Sequence, residues 1–319
     1  MTYKKICRRW FFIQKLVFFV MFLLVLTHTA NAQQRTYTWG SGVKGASWYP
    51  VAATIKTQLP FVNLRLQTSG GVSNAVLVGS KRIDFGFVQD FNMVMAQKGE
   101  PPFQQSFNNL RVLFTFMVGY AQYVVRADSD IKQIEDLAGV RVNIVDRGFS
   151  TNLANEIILK AAGILNKVKP AYLSYADGAQ EFVDGHLDAL LYPAIAPNAS
   201  IQNAARSVPI RLLEFDEVLV EKIRKLNPVF EAASLKKGTY PSMDRPVKTL
   251  LTRHVAFTRV DMDETLVYRI VKTVFEKKKR IEKAHVGLSE INLKQMSAPI
   301  SGLAFHPGAL RFFKESGLR

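Results

Sequence analysis

Cysteine is almost absent from this chain of 319 residues, in which Cys7 is the only one. A single cysteine cannot form an intramolecular disulfide, so a small disulfide-stapled module is excluded. The five histidines do not occur at the spacing of three or four residues that zinc ligands on a helix or turn need. The sequence therefore predicts neither a metal site nor a bound cofactor.

The first 32 residues contain no acidic residue and no apolar run long enough to span a membrane. The run Leu16–Leu26 is apolar but has only eleven residues, whereas a membrane-spanning helix needs about 20. Basic residues precede this run, and the segment ends in Ala30-Asn31-Ala32. This order is typical of a secretory signal peptide over residues 1–32, cleaved after Ala32. An uncleaved membrane anchor is the alternative. Cleavage predicts a periplasmic mature chain without cysteine and without a membrane span.

Net charge first favours a nucleic-acid partner, because 42 basic residues face 26 acidic ones and give a formal charge of +16. Five of these basic residues lie within residues 1–32, which leaves +11 on the mature chain. The basic run Lys277–Arg280 has no interleaved aromatic residues and closes a predicted helix. We therefore expect no nucleic-acid partner, and the remaining charge favours an acidic small molecule.

Short apolar runs alternate with helical patterns along the mature chain, which predicts an α/β fold with parallel strands. Strands are predicted near Trp39, Thr68 and Val145, each followed by a turn rich in Gly, Ser or Thr and then by a helix. Two separate strands are predicted at 110–116 and 122–126. The turns near Trp39, Thr68 and Val145 suit an anion, because free N–H groups and the helix dipole both favour negative charge at the start of the following helix.

No sequence pattern indicates catalysis. The segment Gly40–Gly45 matches G-x-G-x-x-G in its letters, but no acidic residue follows at the end of the second strand, as dinucleotide binding requires. A G-x-S-x-G nucleophile elbow is absent. Asp188 is interpreted as a carboxylate with backbone partners at a strand edge, and His306 as a turn residue. The chain is not expected to be an enzyme.

Several stretches, taken in order, resemble the TAXI-type substrate-binding proteins of TRAP transporters. The resemblance covers nearly the whole mature chain. The matching stretches are GSGVKGASWYP at 40–50, TSGGVSNA at 68–75, DFGFVQ at 84–89, VVRADS at 124–129, DGHLDA at 184–189, GTYP at 238–241 and HPGA at 306–309.

This resemblance implies a type II periplasmic-binding-protein fold, in which two α/β lobes joined by two hinge-crossing strands close around a ligand cleft. The expected first lobe comprises residues 33–125 and 247–319, and the second comprises 126–246. The family implies a small carboxylate ligand, such as glutamate, glutamine or 2-oxoglutarate. It also implies delivery to fused membrane permease subunits driven by an ion gradient. A ligand sensor that presents its closed form to a membrane signalling protein is the alternative.

The candidate ligand-binding residues lie in the glycine-rich turns and at strand ends, and most of them are implied by the resemblance. The expected set is Ser41, Gly42, Lys44, Tyr49, Thr68, Ser69, Gly70, Asn74, Gln89, Arg147, Gly148, Ser150, Thr151 and Tyr192.

The sequence departs from the family pattern inside these same turns. Gly71 and Phe149 replace serines, Ser150 replaces a glycine, and Lys44 replaces an uncharged residue. The loss of two hydroxyls and the gain of Phe149, Lys44 and Arg147 favour an anion with an apolar portion. Lys44 or Arg147 is expected to pair with a ligand carboxylate. The alternative is that both side chains face solvent beside their turns.

Overall fold

Strand–turn–helix units form the first half of a ten-stranded sheet. The computed structural model describes residues 35–42, 47–147, 149–241 and 243–319. Strands β1 and β3 are parallel, with Trp39 opposite Phe85. The elements of this half are β1 (Thr36–Ser41), α1 (Trp48–Gln58), β2 (Asn63–Thr68), α2 (Gly71–Gly79), β3 (Phe85–Gln89) and α3 (Asp90–Lys98).

Two long antiparallel strands join the halves of the sheet. They are β4 (Leu110–Arg126) and β10 (Val247–Arg259). The prediction of separate strands at 110–116 and 122–126 is wrong, because residues 117–121 continue β4. Gly119 pairs with Thr252 of β10, and pairing with a strand on the other side begins at Tyr120.

The second half of the sheet repeats the strand–turn–helix pattern, with β5 parallel to both β6 and β7. The sheet order is β2-β1-β3-β10-β4-β7-β5-β6, with β8 on β4 and β9 on β10. The elements are β5 (Arg141–Asn143), α4 (Ser150–Ala161), β6 (Lys169–Ala171), α5 (Tyr175–Val183), β7 (Ala189–Ala194), α6 (Ala199–Ser207), β8 (Ile210–Leu212), α7 (Glu217–Leu226) and β9 (Glu231–Leu235).

Helices after β10 return the chain to the first half. His306 is the buried N-cap of the last helix, where its Nδ1 accepts a hydrogen bond from the Gly308 N–H at 3.1 Å. Phe275 and Phe312 pack ring against ring between the first and last of these helices, with centroids 5.3 Å apart. These helices are α8 (Glu264–Glu276), α9 (Lys278–Ile281), α10 (Leu293–Ser297) and α11 (Pro307–Glu315).

Residues Tyr37–Arg319 form one compact unit, whose core contains large buried aromatic side chains such as Trp39, Phe87 and Phe257. Of the unit that precedes it, only Arg35 and Thr36 are described. The predicted signal peptide at 1–32 lies outside the described residues. Within the described part of the chain, no helix is both long enough and apolar enough to cross a bilayer.

Candidate functional site

The helices that follow the glycine-rich turns begin without a side-chain cap. No residue at the N-cap positions of α1, α2, α3 and α4 accepts a hydrogen bond from the first turn through its side chain. Among the described helices of eight or more residues, all the others have such a cap, from Ser174, Asn198, Asp216, Asp263 or His306. An uncapped helix start leaves N–H donors for another acceptor, so the starts of α1, α2 and α4 are suited to an anion. In α3 the Phe91 N–H already donates to the Asp90 carboxyl.

The first turn is tied to the second by Ser41. Its fully buried hydroxyl donates to the carbonyl oxygens of Gly42 and Gln67, each at 3.1 Å, and its own carbonyl accepts from the Ser69 N–H at 3.3 Å. Ser41 therefore holds the two turns together by hydrogen bonds to backbone groups. Gly42 is buried, Tyr49 is half-buried at the second position of α1, and Lys44 lies outside the described residues.

Asn74 connects the first two turns with strand β3. Its Nδ2 donates to the carbonyl oxygens of Gly40 at 3.1 Å and Phe87 at 2.8 Å, and its Oδ1 accepts from the Ser69 hydroxyl. The side chain is fully buried. Asn74 thus holds the ends of β1 and β3 together, and the structure gives it no exposed polar atom for a ligand.

The two remaining predicted residues of the second turn are open to solvent. Thr68 and Gly70 are exposed, and a Cβ built on Gly70 would meet no atom within 4 Å. Gly70 is also the N-cap of α2, in an extended conformation. A ligand at this helix start would meet backbone N–H groups without displacing a side chain.

Trp48 and His254 form a buried aromatic pair that the sequence did not predict. The Trp48 Nε1–H donates to His254 Nδ1 at 2.9 Å, and the indole packs edge to face on Phe87 and Phe116. Burial, with a smaller contribution from nearby His285, lowers the pKa of His254 to about 4. His254 is therefore neutral and can accept this bond. No local sequence pattern indicates this pair, because the two residues lie 206 positions apart.

The third turn is organised by Asn143 at the end of β5. Its Oδ1 accepts from the Val145 N–H at 3.1 Å, and its Nδ2 donates to the Tyr192 hydroxyl at 2.9 Å. Val145 has φ of +65°, a left-handed conformation that is strained for a β-branched residue. Gly148 lies outside the described residues. Phe149, which follows it, is 54% exposed.

Arg147 lies against an aromatic ring of the second half. Its guanidinium carbon is 4.2 Å from the Tyr172 ring centroid, and the side chain is exposed. Tyr172 directly follows β6. The predicted pairing of Arg147 with a ligand carboxylate stays a prediction, in which the guanidinium would have to leave this ring or share it with the ligand.

Thr151 and Tyr192 both hydrogen-bond to Tyr175. The Thr151 Oγ1 and the Tyr175 hydroxyl are 2.5 Å apart, and the Tyr192 hydroxyl donates to the Tyr175 carbonyl at 3.1 Å. Tyr192 is fully buried, and burial raises its pKa. The structure therefore places Tyr192 beneath the third turn with its hydroxyl already bonded, whereas Thr151 is only half-buried.

Gln89 brings the two halves of the chain together. Its Oε1 accepts from the Ser150 hydroxyl at 3.0 Å and from Asn92 Nδ2 at 3.3 Å, and the same Nδ2 donates to Ser150 Oγ at 2.8 Å. Gln89 ends β3, and Ser150 begins α4. We call the region between these turns the cleft. Asn92 was not among the predicted residues, although it contacts two of them.

Asp90 is the buried carboxyl beside the cleft. Its Oδ1 accepts from the Phe91 N–H and its Oδ2 from the Arg253 N–H, both at 2.8 Å. The guanidinium of Arg253 is paired with Glu231 and not with Asp90. Burial raises the pKa of Asp90 to about 8. This carboxyl ties α3 to the long strand β10.

The geometry suits noncovalent binding of an anion. The start of α4, the Ser150 hydroxyl and the Gln89 carboxamide meet in this region. Of the predicted residues, the structure joins Ser41, Ser69 and Asn74 in one network and Gln89 with Ser150 in another. In the part of the chain that the structure describes, no three His, Cys, Asp or Glu side chains gather as metal ligands.

The architecture matches solved binding proteins at low sequence identity. One neighbour is XAC2383 from Xanthomonas citri bound to chloride ion, with 10% identity, 89% of this chain and 97% of that chain covered, and a TM-score of 0.52. The same protein bound to ATP gives 12% identity, 89% and 96% coverage, and a TM-score of 0.51. A putative periplasmic sulfonate-binding protein SsuA from Methylobacillus flagellatus KT gives 14% identity, 89% and 88% coverage, and a TM-score of 0.50.

These likenesses confirm the predicted fold class, the two-lobed α/β fold of periplasmic binding proteins, with β4 and β10 as the two strands that join the lobes. The chain belongs to the NMT1-like family, whose sequence profile matches residues 39–317. The lobe boundaries at 125/126 and 246/247 stay a prediction. In the structure β4 ends at Arg126 and β10 begins at Val247.

Proposed function

We propose that this protein is an exported receptor that captures a small organic anion in its cleft and delivers it to a membrane permease. The observation that carries the proposal is the set of three helix starts without a side-chain cap, α1, α2 and α4, which Asn74 and Gln89 link through their hydrogen bonds. Free backbone N–H groups and helix dipoles at one place favour negative charge without any bound metal.

The ligand class that we propose is a carboxylate with an apolar portion. Phe149 exposes an aromatic ring beside the start of α4, where the related family has a serine. Lys44 and Arg147 supply positive charge in the first and third turns. Chloride, ATP and a sulfonate are named for the neighbours of similar fold, and all three are anions. A sulfonate therefore belongs in any ligand screen beside glutamate, glutamine and 2-oxoglutarate.

The proposed partner is a TRAP-type permease, on the basis of the resemblance to TAXI-type proteins. The neighbour from Methylobacillus flagellatus KT is named as part of an ABC transporter. The two assignments differ in energy source, because an ABC importer hydrolyses ATP and a TRAP transporter uses an ion gradient. Uptake in vesicles that contain the permease and no ATP is expected under the TRAP assignment. Uptake that requires ATP would contradict it.

The proposed location is the periplasm, after cleavage at Ala32. The basic start, the apolar run and the Ala30-Asn31-Ala32 end support export. Sequencing the N-terminus of the chain recovered from the periplasm should give Gln33 as its first residue. A chain that stays in the membrane fraction with Met1 would favour the uncleaved anchor.

A thermal-shift screen tests the ligand class. The mature chain is unfolded and refolded to remove any bound molecule, and it is then heated with amino acids, oxo acids, longer carboxylates and alkanesulfonates. An anion at a hundred times its Kd should stabilise the chain by about 2.7 kcal/mol. For a protein of this size we expect a rise in Tm of roughly 5 °C. A flat response to every anion would contradict the proposal.

A matched pair of variants assigns the stabilisation to the cleft. Gln89→Ala should abolish most of the rise in Tm, because it removes the carboxamide between α2 and α4. Gln105→Ala is the control, since Gln105 is exposed and lies between α3 and β4. Equal responses in both variants would place the anion elsewhere.

A further inference from the structure

Asn92 contacts two residues that lie on opposite sides of the cleft. Its Nδ2 donates to Ser150 Oγ at 2.8 Å in the second half and to Gln89 Oε1 at 3.3 Å in the first. Ser150 in turn donates to Gln89 at 3.0 Å, which closes a triangle of three polar side chains. Asn92 is fully buried on α3, one turn after Gln89.

The Oδ1 atom of Asn92 is buried and has no hydrogen-bond partner among the described residues. A side chain needed only to fill this space would be better as leucine, because an unpaired buried acceptor costs free energy. The Asn92 carboxamide therefore contributes through its Nδ2 donor, which bonds to Gln89 and Ser150.

Gly71 gives Gln89 the room to take part in this triangle. A Cβ on Gly71 would lie 2.7 Å from Gln89 Oε1 and 3.3 Å from Trp48 Cη2. At the first distance the carboxamide of Gln89 would have to move. A side chain at this position would therefore displace Gln89 from the geometry seen here.

We propose that Asn92 is a positioning residue that holds Gln89 and Ser150 together across the cleft, so that the cleft closes without ligand. This inference rests on the proposed function for its biological meaning, because it concerns the closure of the proposed binding site. A ligand then meets a preformed arrangement of Gln89 and the start of α4. The free energy needed to bring the lobes together is then supplied by the hydrogen bonds of Asn92, Gln89 and Ser150, and not by the ligand.

Distances between two spin labels test the inference in ligand-free protein. The chain from Gln33 to Arg319 contains the whole compact unit and lacks Cys7, so cysteines introduced at exposed Lys56 on α1 and Lys160 on α4 are labelled uniquely. The chain is unfolded and refolded before measurement to remove bound molecules. We expect mainly the short, closed distance.

Ser150→Ala should lower the ratio of closed to open molecules about tenfold, because it removes one donor and one acceptor of the triangle. Asn92→Leu should lower the same ratio while leaving Tm unchanged or higher, since it also removes the unpaired Oδ1. A merely structural role for Asn92 would lower Tm and leave the distances unchanged. Gly71→Ala should open the cleft in the same direction. Ser200→Ala on α6 is the control, and it should change neither quantity.

The double variant Asn92→Leu with Ser150→Ala separates a positioning role from independent effects. If Asn92 acts through Ser150, the double variant should open the cleft by less than the sum of the two single changes. Additive changes, or single variants with the distances of the unmodified chain, would overturn the inference. Because no ligand is present, this result is independent of the anion screen. If no anion raises Tm but the variants open the cleft as expected, the proposed function is refuted and the positioning role of Asn92 stands.

Discussion

The substitution Asn74→Ala should destabilise the ligand-free protein strongly, because Asn74 joins the first two turns to strand β3. The change leaves the carbonyl oxygens of Gly40 and Phe87 without their donor. Each buried polar group left unpaired costs about 1–3 kcal/mol. For two carbonyls, with some relief from water entering the space, we expect a loss of about 3 kcal/mol.

Urea unfolding of the refolded chain measures this loss. With a slope of about 3 kcal/mol per M, the midpoint should fall by about 1 M. Asn203→Ala is the control, since Asn203 is exposed on α6 and only accepts a bond from Arg206 at 3.4 Å. Its midpoint should change by less than about 0.2 M, as for other surface changes.

The reasoning fails if Asn74→Ala and Asn203→Ala unfold at the same urea concentration. A normal midpoint together with a lost anion response would mean that Asn74 contacts the ligand directly, as the sequence comparison had implied. A lowered midpoint with weakened binding fits the structure, in which the side chain acts through Gly40, Ser69 and Phe87.

Two further predictions concern charged groups near the cleft. Burial raises the pKa of Asp90 from 3.8 to about 8, so the unfolded chain releases this proton at lower pH. The free energy of unfolding should therefore fall as pH rises from about 4 to about 8, and urea midpoints of Asp90→Asn should depend less on pH in this range. Lys44→Ala and Arg147→Ala should each weaken carboxylate binding about tenfold in calorimetric titrations, whereas Arg206→Ala should not. Unchanged affinity in both variants would refute the pairing.

The sequence predicted the strand–turn–helix units near Trp39, Thr68 and Val145 because their signals are local. A glycine-rich turn between an apolar run and a helical pattern needs only neighbouring residues to be recognised. The break predicted inside β4 was wrong because the strand is completed by pairing with β10 and β7, which lie in distant segments of the chain.

The predicted ligand-binding residues stay a prediction, and the structure adds side-chain contacts between the turns that the sequence did not indicate. Asn92 was missed because α3 begins directly after β3, with no loop to mark it, and because its partner Ser150 lies 58 residues away. Trp48 and His254 are likewise joined only by folding. Buried Tyr192 shows the opposite case, in which a predicted ligand-binding residue packs beneath the third turn with its hydroxyl already bonded to the protein.

The most direct test of the account is a calorimetric titration of the refolded mature chain with the anion that raises its Tm most. The account predicts one anion per chain, with binding lost in Gln89→Ala and retained in Gln105→Ala. Binding that is equally strong in both variants would contradict an anion site in this cleft. The absence of binding by any carboxylate or sulfonate would contradict the receptor assignment itself.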